Sequence, residues 1–239
     1  MAIALKLKER RMVAEGTMAF HFEKPPGFAY VAGQAGDWIL QHPAKTDKEG
    51  NKRSFTLASA PYEEDLFFAT RVRETAFKED LQSTDLGSQV DFDGPWGELT
   101  LHDDPAVPAV FLTGGIGVTP FRSIVLQWAH DQLEHSLFLF YSNRRPEDAA
   151  FVDELQAVAK QRAKFTFLPT MTEMEKSKMP WSGAQGYIDQ AMLRRSLTDL
   201  NRPIYYLSGP PKMVESMQKL LTDSGVKQER VRTESFDGY

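Results

Sequence analysis

Gly114, Gly115 and Gly117 sit in the run Val110-Phe111-Leu112-Thr113-Gly114-Gly115-Ile116-Gly117-Val118-Thr119-Pro120, where a short apolar stretch gives way to bare backbone. An apolar run that ends at Thr113 suits a parallel strand covered on both faces. The glycines let the chain turn sharply and leave room for a ligand against the main chain. Thr119 then reads as a helix N-cap and Pro120 as the first helical residue, where a missing N–H costs nothing. A helix opening over such a turn directs unpaired N–H groups and partial positive charge at an anion such as a pyrophosphate. The spacing is not the G-x-G-x-x-G of dinucleotide folds. A tight strand-to-helix turn without a ligand accounts for the same residues.

Arg53-Ser54-Phe55-Thr56 is a second candidate. A guanidinium fork suits phosphate oxygens, and on a strand Phe55 shares the face of Arg53. Together they can hold the phosphate and the ring of one ligand; an exposed Arg beside a core Phe explains them equally. The 239 residues contain no cysteine and five histidines. Disulfides, thiolate-held iron–sulfur clusters, cysteine zinc sites and thiol nucleophiles are therefore excluded within them. His21, His42, His102, His130 and His135 lack ligand spacing, so structural roles and no metal are expected.

Two kinds of element must position these residues. Up to about residue 103 the pattern is short alternating strands, at 6–13, 18–22, 36–41, 55–58, 66–73 and 89–92, with one short helix at 77–81. Many short strands favour a closed, roughly six-stranded antiparallel Greek-key barrel, since closure removes exposed edges. After Asp103-Asp104-Pro105 strands at 109–112, 137–141, 165–168, 204–207 and 230–233 alternate with helices at 121–132, 149–162, 189–197 and 214–223. That rhythm implies a doubly wound parallel α/β sheet. The expected domains are 1–103 and 104–239. The loop 172–185 is polar and Met-rich, and is the segment most expected to move.

Hydrophobic residues make up 41% of the chain and charged residues 26%, the balance of a globular protein. No apolar run approaches a membrane span, and the first residues alternate like a strand, so a cytoplasmic setting is expected. The net charge of −5 argues against nucleic-acid binding.

Four segments, in order, resemble the ferredoxin–NADP reductase superfamily of flavoproteins. Arg53-Ser54-Phe55-Thr56 resembles its R-x-Y-[ST] flavin motif, and Gly94-Pro95-Trp96-Gly97 its G-P-x-G turn. Gly114 to Pro120 matches every fixed position of its G-G-x-G-x-T-P loop, and Ser208-Gly209-Pro210-Pro211-Lys212-Met213 resembles its C-G-P-x-x-M segment. Glu234-Ser235-Phe236-Asp237-Gly238-Tyr239 resembles the aromatic tail that some members lay on the flavin.

The resemblance implies that Arg53 and Ser54 contact FAD, that Phe55 stacks on the isoalloxazine and that Thr56 approaches N5. It assigns the flavin phosphates to Arg71, Val72, Arg73, Thr75, Ala76, Phe77 and Lys78, and the ring to Phe236 and Tyr239. The nicotinamide nucleotide falls to Gly114, Gly115, Ile116, Gly117, Pro120, Asn143, Arg144, Ser208, Gly209, Pro210 and Met213, with Thr119 reaching both ligands. Thr56, Ser208, Glu234 and Tyr239 are the implied catalytic set, Glu234 relaying a proton through Thr56 and Tyr239 acting as a gate. Phe55 replaces the usual Tyr and keeps the stacking surface; Ser208 replaces the cysteine beside nicotinamide C4.

The implied activity is an FAD-dependent NAD(P)H reductase passing electrons to a separate acceptor, with a non-turnover redox sensor of the same fold as the alternative. The acceptor stays open: a ferredoxin, a haem protein, a free flavin, a quinone or ferric iron. NADP-specific members carry Ser-Arg where this chain has Thr170-Met171-Thr172-Glu173, and Glu173 would repel a 2′-phosphate. Arg144 and Arg145 would instead recruit one. The reading leans to NADH, and to a monomer without a membrane span.

Overall fold

The computed structural model describes residues 2–235. In the first half, β1 (Ile3–Ala14), β2 (Thr17–Glu23), β3 (Ala35–Leu40), β4 (Lys52–Thr56), β5 (Asp65–Arg71) and β6 (Gln89–Trp96) form an antiparallel sheet, with α1 (Ala76–Ser83) before β6. Its strand order is β4-β3-β6-β1-β2-β5. Period-two alternation sends Phe20, Phe22, Trp38, Phe68 and Phe92 to the interior. The sheet curls until its ends β4 and β5 meet. Phe55 closes that seam by stacking on Phe68, with centroids 4.2 Å apart and planes at 2°. The Ala58 and Ser59 amides also donate to the Phe67 carbonyl, at 2.8 and 3.3 Å.

Two details differ from the sequence expectation. β4 starts at Lys52 and ends at Thr56, leaving residues 57–58 beyond it. Gly94-Pro95 does not turn; β6 runs through it to Trp96 and still pairs with Ala35 past an irregularity near Gly36. The Phe92 ring explains this, because a Cβ on Gly36 or Gly94 would lie 2.2 or 2.7 Å from it. Both glycines leave room for one buried ring while the strands stay paired.

The second half contains β7 (Ala109–Gly114), α2 (Thr119–His130), β8 (Leu137–Asn143), α3 (Val152–Gln161), β9 (Phe165–Met171), β10 (Ala184–Gln185), α4 (Gln190–Ser196), β11 (Ile204–Gly209), α5 (Pro211–Asp223) and β12 (Val231–Ser235). All its strand pairs are parallel, in the order β10-β9-β8-β7-β11-β12. β10, a two-residue edge strand inside the 172–185 loop, has too little pattern to announce itself. The α2 and α3 side chains pack on one face and those of α4 and α5 on the other. The chain steps outward from β7 through β8 to β10, then returns to β11 on the other flank. The switch point between β7 and β11 is where an open α/β sheet leaves a crevice.

The lobes share core. Ala32 and Leu99 of the barrel half join the α2 face of the sheet, and Ile116 and Phe151 of the α/β half join a cluster with Ala19, Ala58, Phe67 and Ala69. Among the described residues no helix is long and apolar enough to cross a membrane.

Candidate active site at the switch point

The glycine turn coils before α2 begins. Gly115–Val118 forms a 3₁₀ turn, Val118 is already helical, and Thr119 is the first residue of α2. Thr119 is therefore not an N-cap and Pro120 is not the first helical residue; the Thr119 hydroxyl donates back to the Ile116 carbonyl at 3.2 Å. The glycines also serve the protein more than a ligand. A Cβ on Gly117 would lie 2.6 Å from both the Gly209 Cα and the Ser208 carbonyl oxygen, and one on Gly114 would lie 2.3 Å from Met213 Sδ. β7 and β11 thus close on each other across the switch point. Met213 backs the turn and Ile116 plugs the barrel cluster, so both side chains serve packing in place of the nucleotide contact expected of them. Gly115, at φ +54°, is only partly buried and has Arg71 Nη2 3.9 Å from the position of a Cβ. Arg71, which the resemblance assigns to the flavin phosphates, has its guanidinium beside the glycine turn.

Beside the turn runs a row of polar side chains. Ser208 on β11 is in register with Thr113 on β7 and with Glu234 on β12. Registered residues of parallel strands point to one face. Here it is the face of Phe111 and Tyr206, which packs against α2 and the barrel half. Thr113 Oγ1, Ser208 Oγ and Glu234 Oε2 are buried without a hydrogen-bond partner among the described residues, and so is Thr56 Oγ1 at the end of β4. Buried polar atoms are normally paired, so three registered ones without a partner among the described residues mark a place for a polar ligand. Burial raises the Glu234 carboxyl from 4.5 to about 7.

The barrel contributes cations. Arg53 and Phe55 share a face, as strand alternation requires. The Arg53 guanidinium lies over the Phe77 ring at 5.3 Å and is gripped by Asp47 at 2.6 Å and Glu49 at 2.9 Å, so an incoming phosphate must compete with these carboxylates. Ser54, on the opposite face of the strand, is exposed and bonded to Asp37. Phe55 uses one ring face against Phe68 and remains half-buried. Phe77 is a core residue, 1% exposed, that has only its amide to offer. The first-turn amides of α1, including those of Ala76 and Lys78, have no intrahelical partner by construction. Burial, with Arg73 and Arg53 nearby, depresses Lys78 to about 8. A cation held below its ordinary pKa among other cations fits an anionic ligand. Val72 binds the Gly16 carbonyl through its amide, and Arg73 is exposed near α1.

Past the ends of β8 and β9 lies a cavity of about 400 Å³ lined by Arg71, Arg144, Arg145, Lys176 and Glu173, with Asp148. Arg145 is held by Asp148 at 2.8 Å, while Glu173 binds Lys176 at 2.7 Å and lies 3.8 Å from Arg144. The buried Asn143 amide lies at the end of β8. Gly209 and Pro210 end β11 and open α5, as a residue pair bordering the crevice should. Phe236 and Tyr239 lie outside the described residues.

Sequence reasoning missed Thr113 and Arg122. Thr113 looked like the end of an apolar run, and only its register with Ser208 gives it meaning. Arg122 sits in a helix buried on nearly every side, and a charge there signals a fully partnered role.

A family model described as "Oxidoreductase NAD-binding domain" matches residues 111–219. The glycine betaine monooxygenase reductase subunit of Chromohalobacter salexigens is 28% identical over 226 residues, covering 92% of this chain and 60% of that protein. The chain thus spans about 60% of that relative's length. Ferredoxin–NADP reductase B of Sorangium cellulosum is 29% identical over 225 residues, covering 90% of both. The crystal structure of a ferredoxin NADP+ reductase from Neisseria gonorrhoeae with bound FAD and NADP superposes with a TM-score of 0.80 at 20% identity, covering 98% of each chain. Along nine-tenths of its sequence the chain is similar to proteins named as reductases, and both of its lobes share the fold of a ferredoxin NADP+ reductase.

Proposed function

We propose that the protein is an FAD-dependent NAD(P)H oxidoreductase that takes two electrons from a nicotinamide nucleotide and hands them to a separate acceptor. The observation that carries this reading is the registered row Thr113–Ser208–Glu234, buried and without hydrogen-bond partners among the described residues, on the sheet face that packs against the barrel half. Bound flavin supplies the capacity to accept a hydride and release electrons singly. The chain's own work is binding, orientation and exclusion of water. The α1 amides with Arg53, Arg73 and Lys78 would hold the FAD phosphates, Phe55 would offer its open ring face, and the Thr56 hydroxyl would meet the ring edge. The amides of the glycine turn, with Arg71, would hold the nucleotide pyrophosphate. Ser208 and Thr113 would orient the nicotinamide, and Glu234, poised near 7, would hold or release a proton beside them.

Glu173 supports NADH as the preferred donor. Its carboxylate can accept the ribose hydroxyls, whereas a 2′-phosphate would have to displace it from Lys176 and Arg144. Because one relative is named a monooxygenase reductase subunit and another a ferredoxin–NADP reductase, an oxygenase or a ferredoxin is the first acceptor to try. A cytoplasmic monomer completes the reading.

The test is an anaerobic titration of the purified, flavin-loaded protein with NADH and then NADPH, followed by a panel of acceptors. Bleaching of the yellow colour by stoichiometric nucleotide supports the reading. Flavin that stays oxidised turns it to the non-turnover sensor, and a protein that takes up no flavin overturns both.

A further inference from the structure

Arg122 lies on the first turns of α2, three residues after Thr119, and its side chain is almost completely buried. Every N–H of its guanidinium has a use. Nη1 and Nη2 donate to the two oxygens of Glu63, at 2.8 and 3.0 Å, and Nη1 also donates to the Ala58 carbonyl at 2.7 Å. Nε and Nη2 donate to the two oxygens of Glu154, at 2.7 and 2.6 Å. The guanidinium carbon also lies 4.7 Å from the Phe67 ring centroid and 5.2 Å from that of Phe151. Next along, the Ser123 hydroxyl donates to the Ser59 carbonyl at 2.6 Å.

These partners fall into two groups. Glu154 and Phe151 belong to the same lobe as Arg122. Glu63, Ala58, Ser59 and Phe67 belong to the barrel, and Ala58 and Ser59 directly follow the segment that carries Arg53, Phe55 and Thr56. α2 directly follows the glycine turn. One rigid fork therefore joins the flavin-side segment, two residues beyond Thr56, to the nucleotide-side turn, three residues beyond Thr119. A planar, bidentate guanidinium fixes direction as well as distance, and a point charge would not.

We propose that Arg122 is a positioning residue for hydride transfer: its grip on Glu63 and the Ala58 carbonyl sets the placement of Thr56 relative to the glycine turn, and so of one bound ring over the other. The inference rests on the reductase reading above. Displacements of about 1 Å can cost on the order of a hundredfold in rate without loss of binding, so the fork acts on the rate of transfer and not on the affinity for either ligand.

Two substitutions of equal chemistry separate positioning from plain stability. Glu63→Gln weakens the fork across the lobe boundary, and Glu154→Gln weakens it within one lobe. Each is made in the flavin-loaded protein. Three quantities are read: the saturating rate of flavin reduction by NADH in anaerobic rapid mixing, the affinity for NAD+ from its difference absorption spectrum, and hydrogen exchange of residues 57–60 and 119–126. Glu63→Gln is expected to slow reduction by about tenfold or more. Its NAD+ affinity should stay within about threefold of the parent, and exchange should rise in both segments. Glu154→Gln is expected to leave the rate within about twofold and to loosen only 119–126. Equal slowing by both, slowing by Glu154→Gln alone, or slowing by neither overturns the proposal. If Glu63→Gln does not accumulate folded, Arg122→Lys, which keeps the charge and loses the planar fork, carries the test: it should slow reduction at unchanged affinity, and an unchanged rate overturns the proposal. A parent protein that neither nucleotide reduces overturns the reductase reading, and this one with it. Any other failure is the fork's alone.

Discussion

Glu234 is the residue whose chemistry can be read most directly from its surroundings. Burial raises its carboxyl from 4.5 to about 7, so across that interval the unfolded chain has lost a proton that the folded chain keeps. With more protons bound to the folded state, stability falls as pH rises through this window and levels off above it. Glu234→Gln should therefore melt higher than the parent at about pH 8 and match it near pH 4. Because the side chain is only partly enclosed, the gain is set at about 1 kcal/mol, or 2–4 °C for a chain of this size. Thermal melts at the two pH values check it, and equal melting temperatures at both would remove the buried carboxyl from the mechanism. Ser208 makes a complementary case. Its hydroxyl is buried and unpaired, so Ser208→Ala should cost no stability, and it should slow flavin reduction if the hydroxyl orients the nicotinamide. A melt and an anaerobic reduction rate on one preparation decide both halves.

The glycine turn shows how an element can be recognised without its reason being visible. Its strand, its glycines and the following helix are all legible in sequence, because an apolar run, bare backbone and a Thr-Pro pair are local signals. What each glycine is for is not local. Gly117 exists because Gly209, ninety-two residues later, brings its backbone within a Cβ's reach, and only the strand order reveals that. For the same reason the Thr119 N-cap expectation fails: a glycine turn that coils into a 3₁₀ helix satisfies the start of α2 before Thr119 is reached. The barrel strands were legible from alternation, but the grip of Asp47 and Glu49 on Arg53 depends on how a polar loop folds back. Gly117→Ala meets backbone atoms that cannot swing aside, and should cost about 1–3 kcal/mol while forcing β11 from β7 and weakening nucleotide binding. Gly115→Ala meets only the flexible Arg71 guanidinium, at an ordinary 3.9 Å, and the strain of φ +54°, about 1 kcal/mol, so urea midpoints and nucleotide titrations should rank Gly117→Ala as the more damaging. On the neighbouring loop, Glu173→Ser frees Lys176 and Arg144 and should move the ratio of NADPH to NADH efficiency upward; a fixed ratio would take Glu173 out of nucleotide selection.

At the scale of the whole molecule the two lobes share charged as well as apolar contacts, so they should unfold as one cooperative unit. Residues 99–102 leave the barrel yet pack on the α/β core: Leu99 is buried there, and the His102 ring and amide both meet the Tyr206 hydroxyl, at 2.8 and 3.0 Å. Cutting the chain after residue 103 would strip Ile116 and Phe151 of their barrel neighbours. It would also leave Arg122 facing Glu154 alone, without Glu63 and the Ala58 carbonyl. Removing one partner from a buried ion pair costs about 3–5 kcal/mol, against a total stability of about 5–15 kcal/mol for an ordinary domain. Loss of the shared apolar cluster comes on top of that. The segment 104–239 expressed alone should therefore be unfolded or molten, with weak near-ultraviolet dichroism and no sharp calorimetric transition. The full chain should unfold in a single transition whose calorimetric and van't Hoff enthalpies agree. Two resolved transitions in the full chain, or a sharply melting isolated α/β segment, would mean that the lobes are independent. Arg122 would then join finished domains and would not complete them.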